Sequence, residues 1–382
     1  MTKPRLLFVS HMAAISGAEQ VLVDIAGDWP QSNAFTFQPG RLADCLTALG
    51  LHVTSSSKTG DLNDIRRDQS IISGLAKAGT LVGLIREIRR AARDASVIYA
   101  NSQKAFTLSA IASIGSRRKL VWHLHDIMDE AHFGKMQRRM QIGLANRLAS
   151  AVIVPSEAAA EAFRAAGGRA DLVQVVPNGR DIADDPRNKT TLRRDLGLPD
   201  GALAGVFSRL AAWKGQDVFL KALADLPDVK ALVVGSAMFG ETAFETDLRA
   251  LTDRLGLADR VHFLGRREDV SSLMQAVDVV VHPSVDPEPF GLTLVEAMAV
   301  GTPVIASDAG ASREILAQGR YGTLVAAGSQ EALAKAIAQV IAAPDADMIA
   351  QAKQRATTHY SVAEMRRGIR RIVETVDAGG RS

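Results

Sequence analysis

The stretch Glu288-Pro-Phe-Gly-Leu-Thr-Leu-Val-Glu296 sets two carboxylates with seven residues between them, and its surroundings decide how they are presented. Asp278-Val-Val-Val-His-Pro-Ser284 reads as a buried strand, a short β-branched run bounded by turn formers. Pro287, Pro289 and Gly291 then force a loop, and Leu292-Thr-Leu-Val-Glu-Ala-Met-Ala299 has helical character. Glu288 is therefore expected in the loop and Glu296 about two turns into the helix. The N-terminus of that helix carries unpaired N–H groups and a partial positive charge, so it favours a phosphate. A carboxylate on each side of a bound diphosphate is placed to take hydroxyls at both ends of a nucleotide sugar.

Outward from this segment, short β-branched runs alternate with longer helical stretches, the pattern of parallel sheets covered by helices, which predicts an α/β fold. The clearest strands of the first half are Leu6–Ser10, Val97–Ser102, Leu120–Asp126, Ala151–Ser156 and Val173–Pro177. The second half repeats the theme at Ala204–Ser208, Ala231–Gly235, Val261–Gly265, Asp278–Ser284, Pro303–Asp308 and Gly322–Val325. The polar segment Asn178–Gly201, with Pro186 and Pro199, places the boundary between two Rossmann-like domains, at residues 1–182 and 200–358. An amphipathic helix near 361–382 is expected to pack back onto the first domain. Open sheets of this kind bind ligands at their C-terminal edges, so a cleft between the two domains is the expected site.

At 382 residues the chain suits two domains. A hydrophobic fraction of 47% with 23% charged residues fits a globular protein, and the absence of an apolar run long enough to span a membrane, or of a secretory signal, points to the cytoplasm. Cys45 is the only cysteine, which rules out an internal disulfide and a Cys-based zinc site. The charge is uneven: residues 1–180 hold 22 Lys and Arg against 15 Asp and Glu, a surplus of seven cations. A basic first half suggests an anionic partner such as a membrane surface or a phosphate-bearing substrate. No nucleic-acid motif accompanies the charge, so nucleic acid is not expected.

Several short constellations sit where strands end. Ser208-Arg209-Leu-Ala-Ala-Trp-Lys214-Gly215 supplies two cations of the kind a departing nucleoside diphosphate needs. Ser16-Gly17-Ala18-Glu19 opens a helix, where Gly17 gives backbone room near a phosphate. In His123-Leu-His125-Asp126 the period-two alternation puts both imidazoles on one face, with His125 nearer the sheet edge. A zinc pair has no third ligand nearby, and no metal site is expected. Asn101 and Ser102 end the neighbouring strand and line the same pocket. Asp345-Ala-Asp347 imitates an Asp-x-Asp metal motif, but it follows Pro344 near a helix start, where acids complement the helix dipole. Leu75–Arg93 carries an apolar stripe, Leu81, Leu84, Ile85 and Ile88, beside Arg86, Arg89, Arg90 and Arg93. Packing of the stripe on the sheet is favoured over a lipid contact, although one helix can do both.

Together these segments resemble the retaining glycosyltransferases of family 4, which have the GT-B fold. The resemblance is most specific over Pro287–Ala306, and Ser16–Glu19, His125-Asp126, Arg209 with Lys214-Gly215, and Gly310 within Asp308–Glu314 follow the family in the same order. It implies that Arg209 and Lys214 hold the donor diphosphate, Glu296 the ribose hydroxyls and Glu288 the transferred sugar, with His125 contacting that sugar from the other domain. Gly17 would flank the diphosphate, the backbone at Phe290, Gly291, Leu292 and Thr293 would face sugar and phosphates, and Arg266 would lie near the base. Asp308-Ala-Gly-Ala311 departs from the family's usual paired glycines, and Ser208 stands where glycine is common.

The resulting expectation is a metal-independent, retaining hexosyltransferase without a cofactor. Its donor is a UDP- or GDP-sugar and its acceptor a saccharide or polyprenyl-diphosphate-linked saccharide, in surface polysaccharide or lipopolysaccharide assembly, with peripheral attachment to the inner face of the cytoplasmic membrane. A sugar-nucleotide epimerase, a phosphorylase and a non-catalytic GT-B scaffold are the competing readings.

Overall fold

The computed structural model describes residues 3–56, 71–130, 133–238 and 240–379, with backbone alone at 71–78. It divides into two compact units, Met1–Gly179 together with Val362–Ser382, and Arg180–Ser361. Each is built on its own parallel sheet.

In the first unit seven strands run in chain order: β1 (Leu6–Ser10), β2 (Asn33–Thr36), β3 (His52–Ser55), β4 (Val97–Ala100), β5 (Lys119–His123), β6 (Ala151–Val154) and β7 (Val173–Val175). Their order in the sheet is β3-β2-β1-β4-β5-β6-β7. All pairs are parallel, β1 against β4 running from Leu6 opposite Val97 to Val9 opposite Ala100. The inner strands are buried on both faces, which is why they read as continuous apolar runs. β2 and β3 are the strands that this reading missed. They are four residues long, and β3, at the sheet's edge, alternates exposed His52 and Thr54 with half-buried Val53 and Ser55. The largest side chains close the core, where Phe106 and Trp122 stack with ring centroids 4.1 Å apart.

The helix Val362–Asp377 belongs to this unit and buries Met365, Ile369, Ile372, Val373 and Val376. Arg366 Nε donates to the carbonyl of Asp24 at 2.6 Å, and Arg370 Nε to Asp28 Oδ2 at 2.9 Å. The helix Ile71–Ala91 lays Leu84 and Ile88 into the core and leaves Arg86, Arg89 and Arg90 exposed. Side chains of the expected helix before Gly79 lie outside the described residues. Arg89 has a structural role: its guanidinium donates to the carbonyls of Ala112 and Ile114, where the helix Gln103–Ser113 leaves its last carbonyls unpaired.

The second unit has six strands, β8 (Ala202–Phe207), β9 (Val229–Val234), β10 (Val261–Gly265), β11 (Val279–His282), β12 (Val304–Ser307) and β13 (Thr323–Val325). They lie in the order β10-β9-β8-β11-β12-β13, again all parallel. Apolar clusters cover both faces of this sheet. In each sheet the chain builds outward in one direction and then returns to the middle, so the order reverses between β1 and β4 and between β8 and β11. Such switch points are where loops diverge and open α/β sheets bind ligands.

Candidate active site

In the second unit the switch point brings together the loops after β8 and β11. The first, Ser208–Gly215, carries Arg209 and Lys214; the second, Pro283–Gly291, carries Glu288. Gln216 closes the first loop, its Nε2 donating to Ser208 Oγ at 2.8 Å and to the carbonyl of Arg209 at 2.9 Å. The two loops then join, with the N–H of Val285 donating to the carbonyl of Trp213 at 2.9 Å. Gly215 permits this approach: it has φ of 70°, and a Cβ there would lie 2.0 Å from the carbonyl oxygen of Pro283. A third loop, after β12, is tied in likewise. Gly310 (φ 56°) has no room for a Cβ, which would sit 2.5 Å from Glu288 N and O, and Ala311 N–H donates to the Glu288 carbonyl at 3.0 Å.

These loops deliver Glu288 into a nearly buried position, where Lys214 Nζ and Ser284 Oγ both donate to its Oε1 at 2.5 Å. His282 Nε2 lies 2.9 Å from the same oxygen but lacks the alignment of a hydrogen bond. Burial alone would raise the Glu288 carboxyl, yet the Lys214 charge and the adjacent His282 hold it well below the usual carboxylate range. Glu288 is thus a charged partner of Lys214. Trp213 steadies both cations: Lys214 Nζ is 4.1 Å from its ring centroid and the Arg209 guanidinium carbon 5.4 Å.

The helix Leu292–Ala299 starts at Gly291, which has φ of 105°. Glu296 is its fifth residue, which at 3.6 residues per turn is just over one turn in, where about two turns were expected. Glu296 Oε1 accepts from Arg180 Nε at 3.0 Å. Thr293 Oγ1 donates to the carbonyl of Phe207 at 3.1 Å, and Leu292 is half-buried. Phe290 turns inward onto Tyr360, centroids 5.8 Å apart. Arg266 is exposed just beyond β10.

The first unit gathers its own set at the C-terminal ends of β1, β4 and β5. Gly17 is the first residue of the helix Gly17–Ala26, and Glu19 completes its cap. Glu19 Oε2 accepts from the N–H of Ser16 at 3.3 Å and from the Ser16 hydroxyl. Burial raises the Glu19 carboxyl against the opposing pull of those hydrogen bonds. Ser102 caps the helix Gln103–Ser113 through Ala105 N–H and contacts His11 Nδ1 at 2.8 Å. β5 ends at His123, so His125 lies in the loop beyond, and the two rings meet at 3.9 Å between centroids. Burial pushes the His125 imidazole down to about 3, so it is neutral near pH 7.

Asp345 caps the helix Ala346–His359, accepting from Met348 N–H at 2.9 Å, which gives the Asp-x-Asp pair its structural role. Among the described residues no cluster of three or more His, Cys, Asp or Glu is arranged to hold a metal ion. Sequence reasoning missed Arg180, His282, Ser284 and Gln216. The polar pair His282 and Ser284 directly after three valines was a usable signal for the second and third.

The family described as Glycosyl transferases group 1 matches residues 188–357, and the Glycosyl transferase 4-like domain matches residues 35–179. The crystal structure of Anabaena HepE in complex with UDP and glucose superposes with a TM-score of 0.87 at 36% identity, over 97% of this chain and 100% of that one. The chain belongs to the GT-B glycosyltransferases of family 4. Among curated relatives, it is 33% identical over 236 residues to the lipopolysaccharide core biosynthesis mannosyltransferase LpsB of Rhizobium meliloti, covering 56% of this chain and 66% of that protein. It is 41% identical over 152 residues to the lipopolysaccharide core biosynthesis mannosyltransferase LpcC of Rhizobium leguminosarum bv. viciae, covering 39% of this chain and 43% of that protein.

The buried pair generates a stability prediction. Because the Glu288 carboxyl is depressed, the stability it contributes is present above its ordinary value of 4.5 and is lost as pH falls through the lower folded value. Lys214→Met strands the carboxylate and is expected to cost about 3–5 kcal/mol at pH 7. Urea unfolding of both proteins from pH 7 to pH 3 should show the wild-type advantage shrinking as pH falls, because the stranded carboxyl of the variant protonates more readily than the paired one. An unchanged midpoint at pH 7 would contradict the buried pair.

Proposed function

We propose that this protein is a retaining glycosyltransferase that moves a sugar from a UDP- or GDP-linked donor to a saccharide or polyprenyl-diphosphate-linked acceptor, without a divalent metal, in lipopolysaccharide or surface polysaccharide assembly. The observation that carries this reading is the pair of cations, Arg209 and Lys214, on a loop that Lys214 and Trp213 tie to the loop leading into the helix Leu292–Ala299. Fixed positive charge there stabilises a leaving diphosphate as its negative charge grows. Likeness to HepE, whose structure holds UDP and glucose, supports a uridine donor, and the two rhizobial relatives support a lipopolysaccharide acceptor.

Glu296, held by Arg180, is assigned to the ribose hydroxyls. Gly17 and the backbone from Phe290 to Thr293 face the phosphates and sugar, and Arg266 lies toward the base. Glu288 and His125 position the sugar, while Asn101 and Ser102 shape the acceptor side. The bond from the anomeric carbon to the diphosphate oxygen breaks as an acceptor hydroxyl oxygen bonds to that carbon from the same face. The hydroxyl proton passes to a phosphate oxygen of the leaving group. Arg209→Ala leaves the Lys214–Glu288 pair intact and is expected to reduce kcat for transfer from UDP-glucose by on the order of 10²-fold, with folding unchanged. Wild-type turnover in that variant would overturn the assignment.

Among the described residues no helix is long and apolar enough to cross a membrane. Peripheral attachment is supported by the helix Lys135–Leu148, which carries Lys135, Arg138, Arg139 and Arg147 without an acidic residue. Met136 and Met140, one turn apart on its outer face, are 82% and 49% exposed. Apolar contacts flanked by cations suit the cytoplasmic, anionic leaflet. Co-sedimentation with phosphatidylglycerol vesicles at low salt should exceed that with phosphatidylcholine, weaken as salt rises, and fall in Met136→Glu/Met140→Glu. Equal binding to both lipids would refute the attachment.

A further inference from the structure

Asn101 is fully buried at the end of β4, and its side chain joins two groups of the first unit. Its Nδ2 lies 3.1 Å from the carbonyl oxygen of Ala18, and its Oδ1 lies 3.0 Å from His125 Nε2. A backbone carbonyl only accepts, so the amide edge facing Ala18 has to be the NH2 group. Turning the amide over would press two carbonyl oxygens together and leave a buried acceptor without a donor. The edge facing His125 is therefore the carbonyl, which requires a proton on His125 Nε2.

The neighbouring residues leave that assignment uncontested. His123 packs against His125 with the ring planes tilted by 40°, but its Nδ1 is engaged by the Tyr99 hydroxyl at 2.8 Å and its Nε2 has no hydrogen-bond partner. His125 is neutral near pH 7, because burial disfavours the imidazolium. A neutral imidazole protonated at Nε2 carries its lone pair on Nδ1, and His125 Nδ1 has no partner among the described residues.

We propose that Asn101 is a positioning residue that fixes His125 as the Nε2–H tautomer, so that His125 meets the donor sugar with Nδ1 as a hydrogen-bond acceptor. The sugar-facing half of this inference rests on the transferase reading above; the tautomer rests on the first unit alone. The consequence is chemical selectivity: the position opposite Nδ1 calls for a hydroxyl that donates, and a group lacking O–H leaves a desolvated nitrogen unpaired. The carbonyl of Ala18, in the second residue of the helix Gly17–Ala26, thereby sets the polarity of a ring that lies 107 positions away in sequence.

The test is 15N NMR of the full chain with labelled histidine, recorded without ligand at pH 7, the His125 signals being assigned by their loss in His125→Gln. The expected spectrum shows His125 with a protonated Nε2 and an unprotonated Nδ1. Asn101→Ala should give a mixture of tautomers, whereas Asn101→Asp, which still accepts from Nε2–H, should retain a proton on Nε2. A wild-type His125 protonated at Nδ1 overturns the proposal even if neither variant folds, and so does an Asn101→Ala protein that folds with the wild-type tautomer. Because no nucleotide sugar is present, the result is independent of whether the transferase reading holds.

Discussion

A carboxylate buried at the end of a parallel sheet has to meet a cation, and the way Glu288 meets Lys214 shapes the edge of the second unit. The two residues are 74 positions apart and sit in different loops, so their contact fixes one loop against the other. Backbone does the rest: Val285 binds Trp213, Ala311 binds Glu288, and glycines at 215 and 310 let the chains come close enough. Removal of either charge would leave the other desolvated and unpaired, a larger penalty than the net gain from the pair itself. Lys214 is therefore held in place before any substrate arrives, with Trp213 lying against both it and Arg209. Preorganised charge of this kind needs little rearrangement as a leaving group becomes negative.

The first unit uses the opposite strategy at its own switch point. Three of its buried rings are neutral near pH 7: His123 and His125 are both pushed down by burial, and Tyr99 is pushed up. Hydrogen bonds rather than ion pairs hold them, from Tyr99 to His123 and through Asn101 between His125 and Ala18. A neutral array suits recognition of hydroxyls, and a charged edge suits a diphosphate.

The inner strands were legible in the sequence because strands buried on both faces must be apolar throughout, as Val279, Val280 and Val281 show. The outer strands β2 and β3 were hidden because each is only four residues long, and because β3, at the edge, tolerates exposed His52 and Thr54. Glu288, Glu296, Arg209 and Lys214 were legible through their spacing around Gly and Pro. Their partners were not. Nothing local ties Arg180 to Glu296 across 116 positions or makes Asn101 the hydrogen-bond partner of His125, since such contacts are set by strand order rather than by sequence neighbours. The Arg-rich face of the helix Ile71–Ala91 shows the converse: a pattern readable as a lipid surface contains, in Arg89, a residue that serves a neighbouring helix.

The central claim is that fixed side-chain and helix charge does the work of a metal in a displacement that retains configuration. Proton NMR of the first-formed glycoside, made from an α-linked UDP-sugar in excess EDTA, tests it most directly. The account predicts an α-glycoside formed at the rate seen without chelator. A β-glycoside as first product, or loss of transfer that added Mg²⁺ or Mn²⁺ restores, would contradict it.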